Sequence, residues 1–166
     1  MQVEAGLVDI TSKLKLGSPL EFDTFLSAVI DGASFKRIKT CLDFAKSDSA
    51  HKVLIGGNAT FEKGFFVEPT IVVTTDPNSK LLTNEIFGPV LTVYVFDDNK
   101  LDQTMELVDK STPYGLTGAI FANDKYVRFL CSRYGLALFL LLLCHSCTIT
   151  RGAFSYSLSC CFLSIK

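Results

Sequence analysis

Residues 84–90 read Asn-Glu-Ile-Phe-Gly-Pro-Val, and they constrain the fold of this chain more than any other stretch. They place a carboxylate, an aromatic ring and a Gly-Pro pair directly before residues 90–96, a run rich in β-branched and aromatic side chains. Such a run predicts a sheet strand covered on both faces. Glycine allows close approach of the backbone, and proline fixes φ and removes a donor where the strand begins. Glu85 and Phe87 are therefore predicted to lie at the edge of a sheet, although the pattern by itself favours an ordinary turn before a buried strand.

The rest of the chain alternates short apolar runs with amphipathic segments, which is the pattern of an α/β fold. A first helix is predicted over residues 1–15, where apolar side chains recur every three or four positions. A second helix is predicted to begin after Ser34 as its N-cap. Its apolar face is formed by Phe35, Ile38, Leu42 and Ala45. Extended segments are predicted at 25–30 (a strand or a buried loop), 52–55, 65–67, 70–73, 90–96 and 117–122, a helical turn at 79–83, and a further helix after 97–99.

Four side chains outside this framework have chemistry that needs an interpretation. Cys41 lies near the apolar face of the second helix and is predicted to be a small core hydrophobe rather than a nucleophile. His51 is solitary and is predicted to be a surface residue. Cys144 and Cys147 have the spacing of half a zinc site, but the adjacent pair at 160–161 cannot complete it, so no metal site is predicted.

Residues 84–90 resemble the Glu-Ile-Phe-Gly-Pro-Val motif of the NAD(P)-dependent aldehyde dehydrogenase superfamily. Further blocks resemble the same family in the same order, Gly-Phe-Phe-Val-Glu-Pro-Thr at 64–70, Val-Tyr-Val-Phe at 93–96 and Tyr-Gly-Leu-Thr-Gly-Ala-Ile-Phe at 114–121. The resemblance runs from about residue 10 to residue 127. Three segments, at 25–31, 107–110 and 111–118, are most similar to the pyrroline-5-carboxylate dehydrogenase branch of that family.

The resemblance implies a partial aldehyde dehydrogenase catalytic domain of α/β class, with a mostly parallel sheet and flanking helices. It implies NAD as cofactor, with Glu85 binding the nicotinamide ribose hydroxyls and Phe87 packing near the nicotinamide. In that branch, glutamate semialdehyde is oxidised to glutamate in proline breakdown. The family's nucleophilic cysteine and general-base glutamate lie upstream of the first helix, so no catalytic residue is assigned to this chain. The chain is expected to be inactive alone.

Length and charge limit the partners of this chain. Its 166 residues suffice for one domain, whereas the family enzyme also has a cofactor domain and an oligomerisation arm. A formal net charge of −1, without a basic stripe, argues against nucleic acid as a partner. The expected partners are a small-molecule aldehyde and NAD, within an enzyme whose family members are homo-oligomers. The resemblance implies the mitochondrial matrix, but no transit peptide is recognised, so expression as given predicts the cytoplasm.

The composition changes near residue 127. Beyond Asp124 there is no acidic residue, and five of the six cysteines fall in the last segment. Residues 1–127 are therefore predicted to be the partial catalytic domain, and residues 128–166 an apolar, Cys-rich tail outside the fold. The apolar run at 135–144 is shorter than the roughly 20 residues of a spanning helix, which makes a membrane anchor the minor alternative. A second function class stays open, a non-catalytic binding or interaction protein that associates through this tail.

Overall fold

The computed structural model of the protein describes residues 2–111 and the backbone of residues 161–162. The helices are α1 (Gln2–Ser12), α2 (Gly32–Ser47), α3 (Lys80–Thr83) and α4 (Leu101–Lys110), with a 3-10 helix at Asp98–Lys100. The strands are β1 (His51–Ile55), β2 (Ala59–Thr60), β3 (Phe66–Val67), β4 (Thr70–Thr74), β5 (Val90–Tyr94) and β6 (Cys161–Phe162). These residues belong to two compact units, which divide after residue 95, with β6 in the first unit. The predictions for 112–160, including the strand at 117–122 and the cysteine pair, lie outside the described residues.

The first unit is built on a four-stranded mixed sheet in the order β1-β4-β5-β6. Strand β1 pairs antiparallel with β4, whereas β4 with β5 and β5 with β6 are parallel. Strands β2 and β3 form a separate antiparallel hairpin around the glycine at position 64. Two of the three pairings in the main sheet are parallel, which confirms the α/β class and the mostly parallel sheet.

Helix α2 supplies the principal apolar face of the first unit. Its predicted apolar side chains are all buried, namely Phe35, Ile38, Leu42 and Ala45. They form one cluster with Val67, Val72, Leu81, Ile86 and Val90, which come from the hairpin, the sheet and the segment between β4 and β5. The helix is thus packed against the elements that position residues 84–90.

Three local predictions for the first unit are wrong. The N-cap of α2 is Asp31 rather than Ser34, because Asp31 is extended and its carboxylate accepts the Ser34 N–H at 2.7 Å. Residues 25–30 form no strand beyond one bridge at Leu26, and Ile30 is 91% exposed. His51 is buried rather than on the surface, because it begins β1 and its ring packs edge-on against Phe44 at 5.0 Å.

The described part of the second unit is the 3-10 helix and α4. The 3-10 helix begins after Asp97, whose carboxylate accepts the Asn99 N–H at 3.0 Å. In α4, the helix predicted after residues 97–99, Met105 is buried, and Leu101 and Val108 are partly buried. None of the helices within the described residues has the length and apolar character needed to cross a membrane.

Candidate functional site

The candidate site lies on the connection between the parallel neighbours β4 and β5. After β4 the chain turns at residues 75–79, forms the single turn of α3, and returns through residues 84–89 to the start of β5. Ser79 caps α3, since its hydroxyl oxygen accepts the Leu81 N–H at 3.2 Å. We call residues 84–89 the return loop. It brings Glu85 and Phe87 to the end of the sheet at which both parallel strands begin.

Two contacts with α2 hold the return loop. The guanidinium Nε of Arg37 donates to the Ile86 carbonyl at 3.3 Å, a charge-assisted bond across 49 positions of sequence. Gly88 lies directly on Ile38, and a Cβ at this glycine would come within 2.5 Å of Ile38 Cδ1. Any side chain at position 88 would therefore have to displace the buried Ile38 side chain.

Phe87 has the one positive φ among the non-glycine residues of the described chain, at 53°. A left-handed conformation costs an aromatic residue about 1–2 kcal/mol, and such strain persists only where surrounding contacts enforce it. The enforcing contacts are the buried Ile86 on one side and the tightly packed Gly88 on the other. The Phe87 ring is nevertheless 68% exposed, so the strained backbone holds an aromatic ring in an open position.

Glu85 is the second predicted site residue. Its side chain is partly buried, and it directly follows Asn84, whose backbone N–H donates to the Lys80 carbonyl at the end of α3. Ile86, between Glu85 and Phe87, is the buried member of the three. The structure therefore places the two predicted site residues on one short loop, on either side of the side chain that anchors it.

The neighbouring strand ends reinforce this end of the sheet. Gly56 has φ of +76°, and a Cβ there would lie 2.2 Å from the Pro69 carbonyl oxygen. The N–H of Gly57 donates to the Thr70 hydroxyl at 2.8 Å, and the Thr70 N–H donates to the Pro89 carbonyl at 2.8 Å. A continuous set of hydrogen bonds thus links the end of β1, the start of β4 and the start of β5.

Cys41 is a free thiol on α2, and its side chain is partly buried. Burial raises the pKa of this thiol, and the nearby Arg37 guanidinium offsets the increase in part. A raised pKa reduces the thiolate fraction, which fits the predicted role as a small hydrophobe. Among residues 2–111 no three side chains are grouped so as to hold a metal ion.

Sequence reasoning missed two contacts around the site. Arg37 lies outside the predicted apolar face of α2, and nothing in its spacing indicates a bond to a carbonyl 49 residues later. The contact between His51 Nε2 and Ser79 Oγ, at 2.6 Å, was missed because it joins two residues 28 positions apart. Both contacts depend on tertiary structure, and local patterns carry no signal for them.

A sequence profile of the Aldehyde dehydrogenase family matches residues 2–133. The chain belongs to the aldehyde dehydrogenase family. Among its relatives, the mitochondrial delta-1-pyrroline-5-carboxylate dehydrogenase of Danio rerio is 52% identical over 127 residues, or 76% of this chain and 23% of that protein. The Homo sapiens enzyme of the same name is 49% identical over 127 residues, with the same shares of 76% and 23%. The chain thus spans about a quarter of the length of these relatives.

Solved structures agree with this assignment. The Delta-pyrroline-5-carboxylate dehydrogenase of Mycobacterium tuberculosis superposes with a TM-score of 0.71 at 27% identity, covering 81% of this chain and 24% of that one. The same enzyme bound with NAD gives a TM-score of 0.70 at 28% identity, covering 79% of this chain and 23% of that one. The predicted family and fold are therefore confirmed, and NAD is bound by a relative with the same fold.

Proposed function

We propose that the return loop forms the nicotinamide-ribose side of a NAD site in an enzyme that oxidises glutamate semialdehyde, derived from pyrroline-5-carboxylate, to glutamate. The observation that carries the proposal is Phe87, an exposed aromatic residue with a strained backbone on the same short loop as Glu85. Strain of this kind is concentrated at functional positions. The substrate class is supported by the names of relatives that are 52% and 49% identical over 127 residues.

The residues present fit such a cofactor. A ribose diol offers two hydroxyl donors, and the Glu85 carboxylate offers acceptors on a loop attached to α2. A nicotinamide ring needs a flat neighbour that limits its position, and the Phe87 ring is exposed enough to serve. When bound, NAD would accept a hydride from the substrate. The contribution of this chain is to orient the ribose and restrict the ring, because transfer is sensitive to small displacements of the reacting atoms.

We assign the nucleophile and the general base of the reaction to segments of the intact enzyme outside this chain. Cys41 is the one cysteine among residues 2–111, and burial, which raises its pKa, disfavours nucleophilic use. The compartment we propose for the intact enzyme is the mitochondrial matrix, which is supported by the names of the animal relatives. We also propose a homo-oligomer assembled through other segments.

Replacement of Glu85 in a chimera tests the assignment most simply. Residues 1–127 of this chain would replace the matching segment of the Danio rerio relative, which is 52% identical to the chain over 127 residues. Glu85→Gln keeps the size of the side chain and removes a charged acceptor, a loss of about 1.5–3 kcal/mol at a desolvated site. We expect a higher KM for NAD and a lower kcat, with an unchanged unfolding temperature.

The matched control for that experiment is Glu62→Gln. Glu62 is exposed in the β2–β3 hairpin, so the same change of charge is made away from the return loop. Kinetic constants of Glu85→Gln equal to those of the control would make Glu85 a structural residue and remove the basis of the proposal.

The 166-residue polypeptide by itself is expected to show no aldehyde-dependent reduction of NAD. Covalent catalysis needs a thiolate beside the aldehyde carbon and a base that activates water, and we assign neither to this chain. The assay is the absorbance of reduced cofactor with glutamate semialdehyde, on protein free of host dehydrogenases. Turnover that disappears in a Cys41→Ser variant would contradict the assignment.

A further inference from the structure

Asp48, His51 and Ser79 form a chain of polar contacts in the first unit, beside the core. The His51 side chain is 0% exposed, its Nε2 lies 2.6 Å from Ser79 Oγ, and its Nδ1 lies 3.4 Å from Asp48 Oδ2. The shorter contact is a hydrogen bond. The longer one is outside hydrogen-bonding geometry and is an electrostatic contact. The three residues join the turn before β1 to the start of α3.

The contact of His51 with Ser79 is compatible with either tautomer of the ring. Ser79 Oγ accepts the Leu81 N–H at 3.2 Å, as the N-cap of α3, and a hydroxyl oxygen has a second lone pair as well as one hydrogen to donate. The Asp48 carboxylate, 3.4 Å from Nδ1, can only accept, so it favours the tautomer with hydrogen on Nδ1. In that tautomer the Ser79 hydroxyl donates to Nε2.

This arrangement has the residue types of a hydrolase triad but not its chemistry. Ser79 is 1% exposed, so no substrate carbonyl can reach its hydroxyl. Its oxygen is also engaged by the helix N–H, and the role of the contacts is therefore to hold α3. Lys80, the first residue of α3, lies with Nζ 5.9 Å from the centre of the Phe44 ring, which in turn packs against His51.

We infer that His51 is a positioning residue for Glu85, an inference that rests on the proposed function. Helix α3 is a single turn of four residues, and Glu85 follows its C-cap Asn84 directly. The segment formed by α3 and the return loop is therefore held at both ends, by Ser79 and His51 before α3 and by Arg37 and Gly88 at α2. Loss of the His51 contact would leave the first end free to shift, and the Glu85 carboxylate would shift with it.

Three replacements of His51 in the chimera separate positioning from packing. His51→Gln places a carbonyl oxygen near Nε2 and keeps an acceptor for the Ser79 hydroxyl. In His51→Asn the new side chain is polar but too short to reach Ser79. In His51→Phe an aromatic ring remains, but it offers no acceptor to the Ser79 hydroxyl. Phe44→Leu is the control, because it weakens the packing around His51 without removing its hydrogen bond. The readouts are KM for NAD, kcat and unfolding temperature.

We expect His51→Phe and His51→Asn to raise KM for NAD roughly tenfold and to lower kcat, the scale of one lost hydrogen bond to a buried group. His51→Gln should restore most of both constants, and Phe44→Leu should lower only the unfolding temperature. If His51→Phe does not fold, KM for NAD and kcat of His51→Asn and His51→Gln still show whether the hydrogen bond to Ser79 positions Glu85.

Two results would overturn the inference, and they are distinguishable. If the His51 variants lose stability but keep the kinetic constants, while Glu85→Gln impairs them, His51 is structural and the proposed function stands. If Glu85→Gln also leaves the constants unchanged, the proposed function fails and the positioning role falls with it.

Discussion

Two irregular segments of the first unit differ sharply in how they are held. The return loop is fixed by a buried side chain, Ile86, and by a glycine packed on α2. The segment at 16–30 is closed mainly at its neck, where Leu16 and Leu26 form an isolated bridge. Val29 packs against the core, but four other apolar side chains find little cover in the described chain, namely Leu20, Phe22, Phe25 and Ile30. We call residues 16–30 the open segment.

The polar contacts of the open segment lie at the surface. Lys15 Nζ is 2.8 Å from Glu21 Oε2 and 2.7 Å from Asp23 Oδ2, and all three side chains are about half exposed or more. Exposed ion pairs contribute little to stability, because water screens them and both side chains lose freedom. Burial against α2, rather than the number of polar contacts, therefore enables the return loop to hold the strained backbone of Phe87.

The largest expected effect is on stability, from truncation of the core side chain under the return loop. Ile38 is 0% exposed, and Ile38→Ala should lower the free energy of unfolding by about 2–5 kcal/mol. Ile30→Ala is the matched control in the open segment, where the side chain is 91% exposed, and it should change that energy by less than about 0.5 kcal/mol. Urea denaturation of the 166-residue chain measures both. Equal effects would mean that the two segments are held alike.

Replacement of Phe87 by glycine is expected to have a smaller effect, an increase rather than a decrease in the free energy of unfolding. Phe87→Gly removes about 1–2 kcal/mol of left-handed strain but adds roughly 0.5–1 kcal/mol of chain entropy to the unfolded state. The net result should be a protein as stable as the parent or more stable by up to about 1.5 kcal/mol, with impaired kcat in the chimera. Phe22→Gly is the control, since that residue is exposed and has no positive φ. A marked loss of stability in Phe87→Gly would show that the ring is structural.

The smallest effect concerns the neck of the open segment and its pH dependence. Lys15 donates a hydrogen bond to Asp23 and lowers the pKa of that carboxyl. A lowered pKa in the folded state contributes stability above the unfolded pKa near 3.8, and this contribution is lost as pH falls through the folded value. Lys15→Met should therefore raise the pKa of Asp23 towards 3.8 in an NMR titration. An unchanged pKa would mean that the ion pair is absent in solution.

Much of the fold follows from the sequence because periodicity and turn chemistry act locally. The apolar face of α2 was predicted residue by residue, and the helical turn before Glu85 was predicted at 79–83. The exposure of the segment at 25–30 is not predictable in this way, because an apolar run indicates what would be favourable to bury and not whether a facing element exists. His51 shows the converse, a polar side chain buried by partners from distant positions.

The candidate site was predicted from its motif alone, and the motif could not show how the loop is held. The positive φ of Phe87 is not predictable from the sequence, because that conformation is common for glycine, occasional for asparagine and unfavourable for an aromatic residue. The positive φ results from Ile86 and Gly88 meeting α2, and such contacts exist only after the chain has folded. The predicted division at residue 127 and the apolar tail beyond it stay predictions.

The most direct measurement is a crystal structure of the chimera with and without NAD. The account predicts a Glu85 carboxylate oxygen within about 2.5–3.0 Å of a nicotinamide ribose hydroxyl, the range of a hydrogen bond between oxygens. It also predicts a positive φ at Phe87 in both states, with the ring beside the nicotinamide. A ribose bound without contact to Glu85, or a Phe87 backbone that adopts its positive φ only when NAD is bound, would contradict a preorganised cofactor loop.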